Sequence, residues 1–426
     1  MTVMSTKAIL RSVLLSSVAI GSGLPAAAEV TLRTLMEDVP ETAIIEKMVP
    51  EFTAKTGIKV EIEKIGYGDM HDKLVLQLVS PESFYNLLEV DFLWAGEFPK
   101  AGWLTDLTPY AQKTSLDMND FVPSMFDLLG RTADTMPIVP MYNYSMGLIY
   151  RKDLMEDPKL QEAFKAEFGT DMSFPQSLED YVRLSKFMKA NAGVAGAAMQ
   201  GQRGDPNAME FSNYLFSVGG HYMDGDKVAF DSPEARTALG LYVDNIKNGA
   251  QQGALSATLD DTMRLMCAGE AFSMVTYWWM LPQIDNAEKC PAAAGKVALS
   301  VMPGGHGESG GWGWGIPNNV TDEEKQAAWS FIEWVQSKDV AKARALEGHA
   351  PVQTSAFEDK DVVTKYPYYA EAQKVVASGM SFPIFAYSAE YENVLGTQLS
   401  DAASGGTDID TAVAAAAKGL SDLLAR

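Results

Sequence analysis

Between Val30 and Ile62 the hydrophobic period of this chain switches twice, and few architectures tolerate that pattern. Val30, Leu32 and Leu35 open a strand-like run. Ile44, Ile45, Met48, Val49 and Phe52 then recur at helical spacing until Gly57, after which Ile58, Val60 and Ile62 alternate as a second strand. Two strands separated by a helix point to sheets covered by helices. Helical spacing returns at about residues 70–79, and the unbroken apolar run at 87–94 reads as a strand buried on both faces. The order predicts parallel α/β layers. Later helices announce their starts: Ser177 stands three residues before Asp180, Ser232 precedes Pro233 in a helix that Gly249 stops, and Thr321 with Glu324 forms a capping box. Residues 304–315 hold seven glycines. They predict a loop of functional interest between a strand at 297–302 and the helix opening at Thr321.

With 426 residues, the chain is long enough for two or three domains. Its 34 basic and 56 acidic side chains give a net charge of −22, the wrong sign for neutralising nucleic-acid phosphates. The first 28 residues read as a secretory signal: Lys7 and Arg11, an apolar stretch at 13–24, then Pro25 and Ala26-Ala27-Ala28. That stretch is too short and too glycine-broken to span a bilayer. Cleavage after Ala28 would release an acidic protein into the periplasm. With only Cys267 and Cys290, a single disulfide is the most the chain can form, and pairing is expected in an oxidising compartment. His71, His221, His306 and His349 show no metal-ligand spacing, so neither a metal nor a cofactor is expected.

Two enzyme motifs match by letter in the glycine-rich segment. Gly305, Gly307 and Gly310 spell a dinucleotide-binding pattern, and Gly307, Ser309 and Gly311 a nucleophile elbow. Both need a helix to open at once, yet Trp312-Gly313-Trp314-Gly315-Ile316-Pro317 follows, so neither is adopted. The tryptophans say more. Trp94, Trp103, Trp278, Trp279, Trp312 and Trp314 fall at strand ends or in turns, whereas Trp329 and Trp334 have helical core spacing. An indole at a strand end can cover the C–H face of a neutral sugar or polyol while nearby polar groups bond its hydroxyls.

These residues carry a resemblance. Pro50-Glu51-Phe52 with Gly57-Ile58-Lys59-Val60, Asp91-Phe92-Leu93-Trp94, Gly147 to Leu154, Phe230-Asp231-Ser232-Pro233, Gly269-Glu270-Ala271, Gly310-Gly311-Trp312-Gly313 and Ala328-Trp329-Ser330-Phe331-Ile332 resemble the family 1 extracellular solute-binding proteins of ABC transporters, of which maltose-binding protein is a distant relative. The resemblance implies an α/β, two-lobed periplasmic-binding-protein fold of type II, each lobe a sheet flanked by helices, with the ligand cleft between them. Lobe 1 would comprise 29–140 plus 302–348 and lobe 2 141–301 plus 349–426, with a hinge near 137–141. By position it assigns Trp94, Glu97, Trp279 and Trp312 to the cleft. Tyr144 falls where relatives carry an acid and Met146 where some carry arginine; Tyr67, Arg203, Tyr387, Asp38 and Glu37 complete the candidates. The cleft tryptophans are expected to serve binding rather than either core. The function implied is a monomeric, non-enzymatic receptor that delivers a sugar or polyol to an inner-membrane ABC permease. An amino-acid or polyamine receptor on the same scaffold and a secreted glycoside hydrolase are the alternatives; the first needs a clamp for an α-carboxylate, for which Arg203 is the isolated candidate, and the second two carboxyls flanking one bond.

Overall fold

A computed structural model describes Met1 and residues 30–426. The expected export signal and its cleavage site lie outside the described residues. Among the described residues no helix is long and apolar enough to cross a membrane.

The early switching of period is realised as β1 (Thr31–Glu37), the helix Pro40–Thr56 and β2 (Lys59–Ile65). Gly57 ends the helix in the left-handed region at φ 77°, a conformation without penalty only for glycine. Beyond the helix Tyr67–Leu78, β3 (Leu87–Asp91) occupies the first part of the apolar run, and all five of its residues are buried. β1 pairs in parallel with both β2 and β3. The sheet is completed by β4 (Ile138–Asn143) and β10 (Gly311–Gly315), giving the order β2-β1-β3-β10-β4.

A second sheet follows. β5 (Met146–Arg151) lies between β8 (Ser273–Tyr277) and β9 (Val297–Ser300), antiparallel to both, while β6 (Met223–Asp224) and β7 (Lys227–Val228) form a separate small hairpin. The expected parallel layering therefore holds only for β1, β2 and β3. The predicted caps form: Ser177 accepts from the Asp180 N–H at 3.2 Å, Ser232 from that of Ala235 at 3.1 Å, and Thr321 and Glu324 close their box.

The glycine-rich segment departs from expectation. Its last five residues are β10 (Gly311–Gly315), the strand between β3 and β4 and antiparallel to each. Alternate glycines conceal a strand because they lack the branched side chains that mark one. Their purpose is clearance. A Cβ on Gly313 would lie 2.2 Å from Ile138 Cγ2, and one on Gly311 2.4 Å from Met125 Cε.

Among the described residues the chain passes between the sheets three times. The expected lobe boundary at 140/141 falls inside β4, which keeps its pairing with β10 through Asn143; Tyr144 and Ser145 then lead into β5. The return runs from β9 to β10, and Ser309 Oγ meets Ser145 Oγ at 2.8 Å. The third passage lies between the helix Asp322–Val335, which packs on β1, and the helix Tyr369–Ala377, which packs on β5 and β9. There Asn143 Nδ2 donates to the Pro351 carbonyl at 2.6 Å.

Cys267, near the end of the helix Leu259–Ala268, is bonded to Cys290. The bond encloses the segment carrying β8 and Trp279. Closing a loop of this length adds about 3 kcal/mol in the chain-entropy model, so reduction is expected to lower the unfolding free energy by that amount. Two labelled thiols per chain in denatured, unreduced protein would show the bond to be absent.

Candidate functional site

β1 and β3 are parallel and end side by side, and carboxylates stand at both ends: Glu37 closes β1 and Asp91 closes β3. This is where an α/β sheet offers a crevice. A cavity of about 200 Å³ opens there. From the five-stranded side it is lined by Glu37, Val39, Tyr67, Asp91, Tyr142 and Trp312. Asp205, Met209, Leu259, Tyr277 and Trp279 line it from the side of the second sheet, and Tyr144 from the passage between the two.

Each position has a local cause. Tyr67 is the first residue of its helix and Asp205 the first of the helix Asp205–Ser217, so both are set at the mouth of an element rather than along its flank. Tyr277 is the last residue of β8, and Trp279 follows in the short helical turn Trp278–Met280, with its ring stacked on Tyr277 at 5.8 Å and 2° between planes. Tyr144 fits because position 310 is glycine: a Cβ there would lie 1.9 Å from its ring. Its hydroxyl donates to Asp91 Oδ2 at 3.1 Å, while Asp91 Oδ1 accepts the Leu93 N–H at 2.8 Å.

The electrostatics are dominated by carboxyls out of water. Burial, and then the repulsion of Asp205, holds Glu37 up to about 7. Burial holds Asp205 at about 6. Asp91 is raised well above the carboxylate range, chiefly by burial, with Glu37 and Asp205 adding to it. Behind the lining, Glu89 accepts the Glu37 N–H at 2.7 Å, and burial raises it too. Glu308 and Glu392 are likewise raised by burial, with Asp205 adding to each.

Of the residues assigned from sequence, the cavity brings together Tyr67, Tyr144, Trp279, Trp312 and Glu37. Trp94 is not in the lining; at 2% exposure it lies behind it, stacked on Tyr67 at 5.9 Å and edge-on to Trp312 at 5.5 Å. Glu97 pairs instead with His71 Nε2 at 2.8 Å. Arg203 is on the surface, bonded to Asp401 at 2.9 Å, and is not in the lining. Asp38 is exposed, one residue too far along the chain; Glu37 takes its place. Tyr387 lies under the Arg426 guanidinium at 5.6 Å, and the Met146 sulfur accepts from Asn213 at 3.2 Å, neither of them in the lining. Trp312 does more than expected. It is 3% exposed in a central strand and packs on Trp94, Tyr67 and Tyr142, so it belongs to the core as well as to the cavity.

Val39, Asp91, Tyr142, Asp205, Met209, Leu259 and Tyr277 were not among the residues assigned from sequence. The position of Asp91 at the carboxyl end of a parallel strand was a usable signal for it. Asp205, Met209 and Leu259 had none, since only the apposition of the two sheets makes them neighbours of β1 and β3.

Two sheet-and-helix units with a polar and aromatic cavity where they meet define a binding protein for a small solute. The family model described as bacterial extracellular solute-binding protein matches residues 37–342, and the chain belongs to that family. A relative from Sinorhizobium fredii described as a probable amino-acid ABC transporter periplasmic-binding protein is 22% identical over 320 residues, 74% of this chain and 71% of its own. Among solved structures, a maltose-bound MalE3 of T. maritima is similar with a TM-score of 0.81 at 27% identity, over 92% of this chain and all of that one (100%). An ABC transporter solute-binding protein of Agrobacterium radiobacter in complex with ribitol gives 0.80 at 26% identity, over 92% and 98% of the two chains.

Proposed function

We propose that the chain is the solute-binding component of an ABC importer for a sugar or polyol the size of one monosaccharide, held between the lobes by residues of the cavity described above. The observation that carries this reading is the lining itself: six aromatic side chains beside three carboxyls. Rings cover C–H faces, and carboxylates accept from hydroxyls. Trp279 Nε1 is buried without a hydrogen-bond partner, a donor available to a ligand oxygen. A volume of about 200 Å³ lies below the roughly 300 to 1,000 Å³ of drug-sized ligand pockets. That is room for a five- or six-carbon polyol or one sugar ring, and short of a disaccharide.

The amino-acid reading, favoured by the description of the Sinorhizobium relative, lacks its essential group. An α-carboxylate needs a cation, and the lining holds none. The protein acts as a monomer in the periplasm, after cleavage behind Ala28, and hands its ligand unaltered to an inner-membrane permease. Its hinge is the pair Tyr144 and Ser145 with the two other passages.

A thermal-shift screen of refolded, ligand-stripped protein tests the reading. A ligand at 100 times its Kd stabilises the fold by about 2.7 kcal/mol. Monosaccharides or five- and six-carbon polyols are expected to shift the transition and maltose not to. Shifts by amino acids alone, or by maltose and not by any smaller sugar, would overturn it.

A further inference from the structure

The charge around the cavity is one-sided. Glu37, Asp91 and Asp205 line it, and no Lys, Arg or His does. Glu308 and Glu392, 1% and 5% exposed, are further buried carboxyls of the same cluster: burial raises both, Asp205 adds to each, and the Glu392 and Asp205 carboxyls share a hydrogen bond. Oε1 of Glu392 is buried with no hydrogen-bond partner. Carboxylates withdrawn from water need a partner or else give up their charge. A hydroxyl can donate to one of them, but it does not bring the opposite charge that would keep them ionised. An ammonium offers three donors and the opposite charge together. The walls suit a cation too, because the lining is rich in aromatic rings and an aromatic face attracts a cation that stands over it.

We infer that the hydroxylated ligand of this cavity carries a protonated amine, as an amino sugar or amino polyol does. The inference rests on the sugar or polyol reading and narrows it. A neutral sugar of the same shape would satisfy the rings and some of the carboxyl oxygens without favouring their ionised form, and so should bind less tightly. An amino acid brings its own carboxylate into a field that repels it.

Matched pairs differing only in a hydroxyl or an ammonium isolate the effect: sorbitol and 1-amino-1-deoxysorbitol, glucose and glucosamine, galactose and galactosamine, with putrescine as a cation lacking hydroxyls. Calorimetric titration of the ligand-stripped protein at neutral pH is expected to show at least one amine binding tenfold or more tightly than its neutral partner. Asp205→Asn should shrink that ratio at least fivefold, with a folded far-UV spectrum as the control. If the neutral member binds as tightly as the amine, or more so, in every pair that binds, the amine is refuted and the sugar or polyol reading survives. If no member of any pair binds, whether or not putrescine does, the amine inference is refuted, and the broader reading falls with it only when the thermal-shift screen also finds no sugar or polyol.

Discussion

Replacing Trp312 by alanine lowers both the stability of the empty protein and its affinity, whereas Trp279→Ala lowers affinity alone. Trp312 sits in β10 between β3 and β4 and is 3% exposed, with Trp94, Tyr67 and Tyr142 around it. Removing a buried indole costs about 3 to 5 kcal/mol because the cavity left behind collapses only in part. The same ring lines the binding cavity, and an aromatic anchor there is worth about 2 kcal/mol or more of binding. Trp279 is only half-buried and leans on Tyr277 rather than on a central strand. Its loss should weaken binding by the same 2 kcal/mol with little change in the denaturant midpoint of the ligand-free form. Denaturation of the stripped variants and calorimetric titration with the tightest ligand of the pairs above separate the two effects. A Trp279→Ala protein that binds like the wild type would move the site away from this wall.

The other large effect is expected far from any ligand, at Arg344→Met. Arg344 is fully buried, and its Nη1 donates to the Val335 carbonyl at 2.9 Å and to Gln336 Oε1 at 2.7 Å. Its Nη2 reaches the Met141 carbonyl at 3.3 Å and contacts His349, which in turn bonds Glu41. Burial, and then the nearby guanidinium, keeps the His349 pKa below its usual value, so the charge facing Glu41 at neutral pH is that of Arg344. Burial lowers Arg344 only to about 10, and it stays protonated. Deleting one member of such a buried set costs about 3 to 5 kcal/mol, since the other charge is left stranded. Glu41→Gln added to Arg344→Met should recover part of the loss, because the stranded carboxylate is then gone. A loss below about 1 kcal/mol in the single variant would mean that the network contributes nothing net. The network joins the start of the helix Pro40–Thr56, the strand β4 and the third passage between the sheets. Its rupture should therefore also loosen the geometry through which the lobes are connected.

These two sites mark how far the sequence could be read. Trp312 was legible as a cleft residue from the resemblance of its loop, but its second role was not, because the glycines around it carry no strand propensity. Arg344, Glu41 and His349 gave no local sign of one another, lying as they do more than 300 residues apart at the extremes. The acidic character of the cavity was hidden for the same reason. Among 56 acidic residues nothing local separates Asp205, at the mouth of its helix, from Asp38, which is exposed on the surface.

What the sequence determined by itself was what neighbouring residues settle among themselves. The run from Val30 to Ile62 could satisfy its apolar side chains only as strand, helix and strand. Ser177, Ser232 and Thr321 each satisfy the N–H group three residues on, and such a cap is made by neighbours in the chain. Tertiary structure decided what required partners distant in the chain. Gly311–Gly315 became a strand because β3 and β4 flank it and supply the backbone partners it needs. Asp91 and Asp205 became one acidic wall because two sheets, joined by three passages, bring a strand end and a helix start to the same cavity. Burial then altered their chemistry, since a carboxyl's charge depends on the water it has lost, and that loss is fixed only when the lobes meet.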